Sequence, residues 1–370
     1  MSKYNIDVWR IHAKTGADNP SEVADYFLNN NCIAVGWSLL DKDIKKLDKT
    51  KEEIDEIIYE KNNIKNVNDY ETFYKKYGDK LYPNDKGGLY NTKRLAEQMK
   101  PGHLVWMRIK GIYYIGRVSK DSTYIFCKDN QNKNPDANLD VGNQRNDIKW
   151  YKIGGESHIP AKVSTSFIRG YTLQRIKNNG VKIFSQYIFN KKLDKEKENG
   201  EIDENIYKKY YFPIEENIID EEHEYFFSLL TTDDCEDLLC LWLYSNEKYG
   251  YVSIPSTSKK STELYECVLR DPKSGNYIYP QVKNAEINAK EYVELANENN
   301  SEVWLFTTNN CYFSKLKNEI DKINEDFGVN IKTVSPKHIY NFVCKSDNDS
   351  KIENILPHHI LDMYEFVKNI

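Results

Sequence analysis

The stretch YECVLRDPKSGNYIYPQVKN, residues 265–284, carries three polar side chains whose spacing can do chemistry: Glu266, Gln281 and Lys283. In the turn PKSG, bracketed by Asp271 and Asn276, Pro272 presets φ and Gly275 accepts a left-handed position, so the stretch predicts a hairpin. Pairing outward from that turn sets Glu266 opposite Gln281, and Lys283, two residues on, shares the face of Gln281. Carboxylate and carbonyl oxygens hold Mg2+, the cation polarises a phosphodiester and activates water, and a lysine orients the nucleophile or offsets developing charge. A further acid for the ion comes from Glu236 in TTDDCEDLLCLWLY, which makes Glu236, Glu266 and Gln281 the candidate metal ligands beside Lys283. Asp233 and Glu236 also fit an N-terminal capping box, in which the glutamate needs no metal. The apolar run Leu238 to Leu243 buries that helix and sets its acidic end near a sheet.

The elements that must position these groups follow from the pattern around them. A helix over 234–245, a strand over 251–254, the hairpin, a helix over 289–297, a strand over 302–307, a helix over 314–327, a strand over 330–334 and a helix over 337–343 imply an α/β sheet covered on both faces. A last helical stretch runs to Ile370.

The first half reads differently. A strand over 7–11, a helix over 20–29 and the apolar strand CIAVGWS precede a charged, helix-like insertion over 41–80. Then GHLVWMRIKGIYYIGRV forms a hairpin about Lys110-Gly111. Val105, Met107, Ile109, Ile112, Tyr114 and Val118 share a core face, while Leu104, Trp106, Arg108, Tyr113, Ile115 and Arg117 share a face that mixes aromatics with arginines and suits a planar, partly charged ligand. A small, mostly β domain ends near Ile176. Between 177 and 230 the chain turns polar and loses its periodicity, as a solvated connector would.

At 370 residues the chain fits two domains. The net charge of −5 argues against indiscriminate polyanion binding, but the charge is segregated. Residues 101–176 hold twelve Lys and Arg against six Asp and Glu, and residues 201–224 hold two against nine. Seven cysteines without a C-x-x-C pair suggest neither a disulfide framework nor a zinc site, and read as small core residues. No apolar run approaches the ~20 residues that span a bilayer, and the start lacks a signal-peptide core, so the expectation is a cytoplasmic protein with no membrane partner.

In its order of acidic helix, strand, hairpin with acid and Q-x-K, then helix and strand, the region from about Thr232 to Lys345 resembles the PD-(D/E)XK nuclease superfamily, most closely its Mrr-like restriction branch. That resemblance implies a restriction-endonuclease-like α/β sheet, Mg2+ as cofactor, and Glu236, Glu266, Gln281 and Lys283 as its catalytic set. The family has aspartate where Glu266 stands, which puts the carboxylate one methylene further out. The half from about Asn5 to Ile176 is similar to EVE-like modules of the PUA superfamily, through CIAVGWS, HLVWMRIKGIYYIGRV and LDVGNQRNDIKW. This second likeness implies a β-barrel with a helical insertion that binds a modified base flipped from a duplex. Trp37, Trp106, Tyr113 and Trp150 are its candidate walls, Asp140 and Asn143 its edge readers, and Arg108, Arg117 and Arg145 its phosphate contacts.

The resulting expectation is an EVE/PUA-like domain over 1–176, an acidic connector over 177–230 and an Mrr-like nuclease domain over 231–370. Together they form a modification-dependent DNA restriction endonuclease of anti-phage defence, a homodimer because both strands must be cut. A catalytically inactive nucleic-acid-binding protein and an RNA-directed nuclease are the alternatives.

Overall fold

The computed structural model describes residues 6–13, 20–83, 87–127, 139–214, 221–245, 250–253, 265, 267–298 and 301–369. The chain divides into two compact units, one of residues 1–159 and 163–215, the other of 160–162 and 216–370. No described helix is long and apolar enough to cross a membrane.

In the first unit the strands are β1 (Val8–Ile11), β2 (Ile33–Val35), β3 (Leu104–Ile109), β4 (Ile112–Val118), β5 (Tyr124–Phe126), β6 (Asn143–Arg145), β7 (Ile148–Gly154) and β8 (Leu173–Ile176). They form a five-stranded sheet in the order β7-β4-β3-β1-β8 and a three-stranded sheet in the order β2-β6-β5. The larger sheet ends at β7 and β8, neither of which pairs with the smaller one, so the closed barrel expected from the sequence is replaced by two open sheets. The hairpin register is the expected one, Ile109 facing Ile112 and Arg108 facing Tyr113, with Lys110 and Gly111 at φ 48° and 81° in the turn. Val105, Met107 and Val118 join a core with Val23 and Phe27 of α1 (Pro20–Asn30). The insertion is helical, as the pattern predicts: α2 (Asp41–Ile44), α3 (Lys51–Asn62) and α4 (Val67–Leu81) close a core of their own around Ile57, Tyr70 and Phe73, followed by α5 (Gly88–Lys93) and a π-helical turn, Arg94–Gln98.

The expected connector does not exist as such. After α6 (Ala161–Ser166) comes a 20-residue helix, α7 (Asn179–Glu198), then α8 (Glu204–Tyr210); both belong to the first unit. The Asn178 side chain caps α7 by accepting from the Val181 N–H at 2.8 Å. Val181, Phe184, Ile188 and Leu193 recur every three to five residues inside the polar run, and all are buried. At about 1.5–3 kcal/mol for each large side chain, that burial outweighs the helix's polar composition. What α7 covers is the second face of the hairpin.

In the second unit, α9 (Glu222–Leu229) and α10 (Thr232–Ser245) precede β9 (Val252–Ser253), β10 (Leu269–Arg270) and β11 (Tyr277–Lys283). A 3-10 turn leads into α11 (Val293–Asn297), then β12 (Glu302–Thr307), α12 (Asn310–Phe327), β13 (Ile331–Thr333), α13 (Pro336–Cys344), α14 (Ser350–Ile355) and α15 (His358–Lys368). The sheet order is β13-β12-β11-β10-β9, antiparallel from β9 to β11 and parallel from β11 to β13. Residues that pair in register share a face. On one face Val303 and Leu305 pack under Leu316, Ile320 and Ile323 of α12. On the other, Trp304 meets Trp242 of α10 at 5.3 Å and Phe306 meets Phe227 of α9 at 5.6 Å.

Candidate functional site

The hairpin of the second unit closes as the turn residues dictate. The Gly275 N–H donates to the Asp271 carbonyl at 2.8 Å and the Asp271 N–H to the Asn276 carbonyl at 3.0 Å. Leu269 faces Ile278 and Arg270 faces Tyr277, the register that the turn predicts. The described ladder stops there, and Glu266 lies outside the described residues. Its neighbours do not keep simple alternation: Tyr265 packs on Tyr279, whose ring belongs to the α12 layer, whereas the Cys267 sulfur is 3.1 Å from that of Cys240 on α10.

Gln281 pairs in register with Leu305, and Lys283 with Thr307, so both side chains point to the α12 layer. Gln281 is buried, its Nε2 donating to the Val282 carbonyl at 3.2 Å. Lys283 is half-buried and makes no hydrogen bond or ion pair with the described residues.

Glu236 stands half-buried on α10. The capping box of that helix is Thr231 with Asp234, not Asp233 with Glu236: the Thr231 hydroxyl accepts from the Asp234 N–H at 3.2 Å and the Asp234 carboxylate from the Thr231 N–H at 2.8 Å. Glu236 is thus not the cap. A cleft at the start of α10 is lined by Thr231, Cys235, Val282, Asn284 and Thr308. Since Val282 and Asn284 face α10, Gln281 and Lys283 face away from it. Gln281 and Lys283 thus lie on the α12 face of β11, whereas α10, the helix that carries Glu236, packs against the opposite face. Among the described residues no three His, Cys, Asp or Glu side chains are grouped to hold a metal ion.

One buried pair escaped the sequence reading. Asp234 accepts from Nε2 of His359 at 2.9 Å and from the Ala161 N–H at 3.3 Å, joining α10 to α15 across 125 residues of sequence. Burial works to raise the Asp234 carboxyl, but His359 and Thr231 outweigh it and hold the carboxyl below its ordinary range. Glu302 is a second buried acid, accepting from Tyr251 at 2.6 Å, from Asn330 at 3.0 Å, and from Trp304 and Lys332. No local spacing signals either arrangement; both depend on which helices and strands pack together.

In the first unit the structure brings together Trp37, Asp140 and Asn143. The Asp140 carboxylate accepts from the Trp37 N–H at 2.6 Å and the Ser38 N–H at 2.9 Å, and burial pushes its carboxyl up. The Asn143 amide donates to the Gly36 carbonyl at 3.1 Å and accepts from the Tyr124 hydroxyl at 2.7 Å. These groups clasp the 36–38 turn, in which Trp37 has φ 63°, and their polar atoms are spent inside the protein rather than offered to a base edge. Trp150 is half-buried, donating to the Cys32 carbonyl at 3.3 Å while its ring lies against Gly116. Tyr113 is buried beneath Arg108, whose guanidinium lies 5.4 Å from the ring centre and 3.8 Å from Glu156.

Three of the expected ligand contacts are core groups. Trp106 is fully buried against Phe184 and donates to Ser185 of α7. Arg117 is fully buried between the rings of Phe189 and Phe212, donates to Asn190 at 2.6 Å, and is pushed down to about 9 by burial. Arg145 donates to the carbonyls of Ala96 and Ser122, each at 3.2 Å. Neither buried arginine reaches a phosphate, so Arg108 alone of the three stands exposed.

Against known proteins, the chain matches no family model, no curated protein and no solved structure.

Proposed function

We propose that the chain is a restriction-type endonuclease acting on DNA, with phosphodiester hydrolysis on the Gln281–Lys283 face of β11. The observation that carries this reading is the course of the second unit: a helix, a three-stranded antiparallel meander, a helix and a parallel strand, with Q-x-K on the central strand. This is the order of the PD-(D/E)XK core that the sequence resembles. Lys283 supports it further, since an ammonium group with no acid among its described neighbours is available to offset charge developing on a phosphate. In this reading Gln281 positions the phosphate beside Lys283, the first unit engages the DNA and reads an altered base, and two copies of the chain cut the two strands. No step is assigned to Mg2+, because the described residues do not complete its ligand set.

The deciding experiment is cleavage of matched plasmids, one unmodified and one carrying methylated, hydroxymethylated or glucosylated cytosine, with and without Mg2+. Cutting confined to a modified plasmid supports the full proposal, and cutting of both retains the nuclease without the modification requirement. The packing of α10, which carries Glu236, on the face of β11 opposite Gln281 and Lys283 favours a second reading, a DNA-binding protein with a degenerate nuclease fold. Retention of DNA without cutting selects it. An RNA substrate in the same assay separates an RNA-directed nuclease from both.

A further inference from the structure

The first unit presents a ledge on which two exposed aromatic rings stand with one exposed and one half-buried arginine. Tyr90 on α5 is 47% exposed and Tyr171, before β8, is 61% exposed, and their rings meet edge to face with centres 6.2 Å apart. The Arg94 guanidinium lies 4.0 Å from the centre of the Tyr90 ring and 5.7 Å from that of Tyr171. Arg94 donates to the Tyr90 hydroxyl, and to the Leu173 carbonyl at 2.9 Å. The Arg169 side chain, exposed beside Tyr171, makes no hydrogen bond or ion pair with the described residues, and neither arginine is paired with a described carboxylate.

The ledge is held from beneath at a cost. Arg10 is fully buried with no carboxylate partner among the described residues, and burial pushes it down to about 10. It donates to the carbonyls of Tyr171 and, at 3.1 Å, Arg169, and to the Gln174 side chain at 2.9 Å. Between those carbonyls Gly170 sits at φ 116°, so close to Arg10 that a Cβ there would stand 2.5 Å from its Nη2. A loop with two side chains turned to solvent is thus fixed by a buried cation. Opposite it, Arg94 opens a π-helical turn, a rare geometry that recurs at functional sites. Rigid exposed rings next to unpaired cations fit a ligand with flat faces and negative charge.

We infer that the ledge of Tyr90, Arg94, Arg169 and Tyr171 binds single-stranded nucleic acid, its rings stacking on bases and its arginines meeting backbone phosphates. The inference rests on the reading that the chain acts on nucleic acid, and it moves base contact away from the buried Trp106 to this surface. A strand displaced from a duplex is one natural source of such a ligand.

The test is fluorescence anisotropy of a labelled oligothymidylate of about 20 nucleotides, and of a duplex of the same length, with the full chain. Tyr171→Ala and Tyr90→Ala are each expected to weaken single-strand binding about tenfold. Arg169→Glu, at a fully solvated position, is expected to lower the salt dependence of that binding by at least about 0.7 in log–log slope. Single-strand affinity within twofold of wild type in Tyr171→Ala and in Arg169→Glu overturns the inference. So does a wild-type protein that cuts or retains duplex DNA yet fails to bind the oligonucleotide, a result that leaves the proposed nuclease untouched. If Tyr171→Ala instead changes the sedimentation coefficient with oligonucleotide affinity intact, the ledge is a protein contact and the inference falls. Conversely, loss of oligonucleotide binding in the variants together with a wild type that never cuts DNA upholds the ledge and removes the nuclease.

Discussion

The indole Nε1 of Trp106 donates to the Ser185 hydroxyl at 2.9 Å, and the indole plane lies 10° from that of Phe184. A tryptophan on the aromatic face of a hairpin is thereby a packing group that fastens β3 to α7. Trp106→Ala is expected to cost about 3–5 kcal/mol of stability, read from urea unfolding, because it empties a fully buried site and orphans Ser185. Where the variant is folded, its affinity for nucleic acid should equal that of wild type. A selective loss of binding at unchanged stability contradicts this account.

Arg117 and Arg108 each stand one position from the end of their paired strands but differ in kind, one sealed in the core and the other in solvent. Replacing Arg117 by leucine should alter the unfolding midpoint and leave the salt dependence of DNA binding unchanged. An Arg108→Ala protein should keep its stability within about 0.5 kcal/mol. Melting curves and titrations over a salt series measure both.

Asp234 contributes acid sensitivity to the second unit. Its folded carboxyl titrates below the unfolded value of about 3.9, so its contribution to stability is fully present above that pH and is lost as pH falls through the lower folded value. Asp234→Ala should therefore destabilise by about 3–5 kcal/mol near neutrality, through the uncompensated His359 and the lost cap. The gap between the two melting temperatures should narrow as pH drops from about 5 toward 2. A gap independent of pH contradicts the pairing.

Cys240 and Cys267 have their sulfur atoms 3.1 Å apart, about 1 Å more than a disulfide bond requires. Oxidised glutathione should convert the two thiols to a disulfide, the two electrons and two protons leaving as a pair of reduced glutathione molecules. Mass spectrometry of a non-reduced digest is expected to show the 240 and 267 peptides linked, and Cys240→Ser should restore alkylation of Cys267. The hydrogen bond with the Cys267 sulfur, and then burial, raise the Cys240 thiol, so attack by that group is slow at neutral pH.

Lys283→Ala should abolish plasmid cleavage with no change in the melting temperature greater than a few degrees, since the ammonium has no described partner to lose. Undiminished cutting by that variant removes hydrolysis from the Gln281–Lys283 face.

Much of the second unit could be read from residue order. The strand over 302–307 falls where its apolar run predicted, and the Asp271 to Asn276 turn fixed the hairpin register from local chemistry alone. What escaped was the assignment of faces. A period of two says that Gln281 and Lys283 lie together, but only the packing of Trp242 on Trp304 tells which helix covers the other side. In the first unit the acidic, lysine-rich tail of α7 masked six buried apolar residues, so the face carrying Trp106 and Arg117 looked open. The capping box slipped for a similar reason, because TTDDCE offers two start signals whose ends lie three residues apart and Thr231 won over Asp233 through its bonds to Asp234.

The long helix from Asn179 to Glu198 also decides how the molecule can be taken apart. A fragment ending at Ile176, where the composition shifts, would strip the lid from Leu104, Trp106 and Ile115 and leave a greasy sheet to aggregate. Scissors belong after Ile214 instead, where the polypeptide has finished wrapping its own first half.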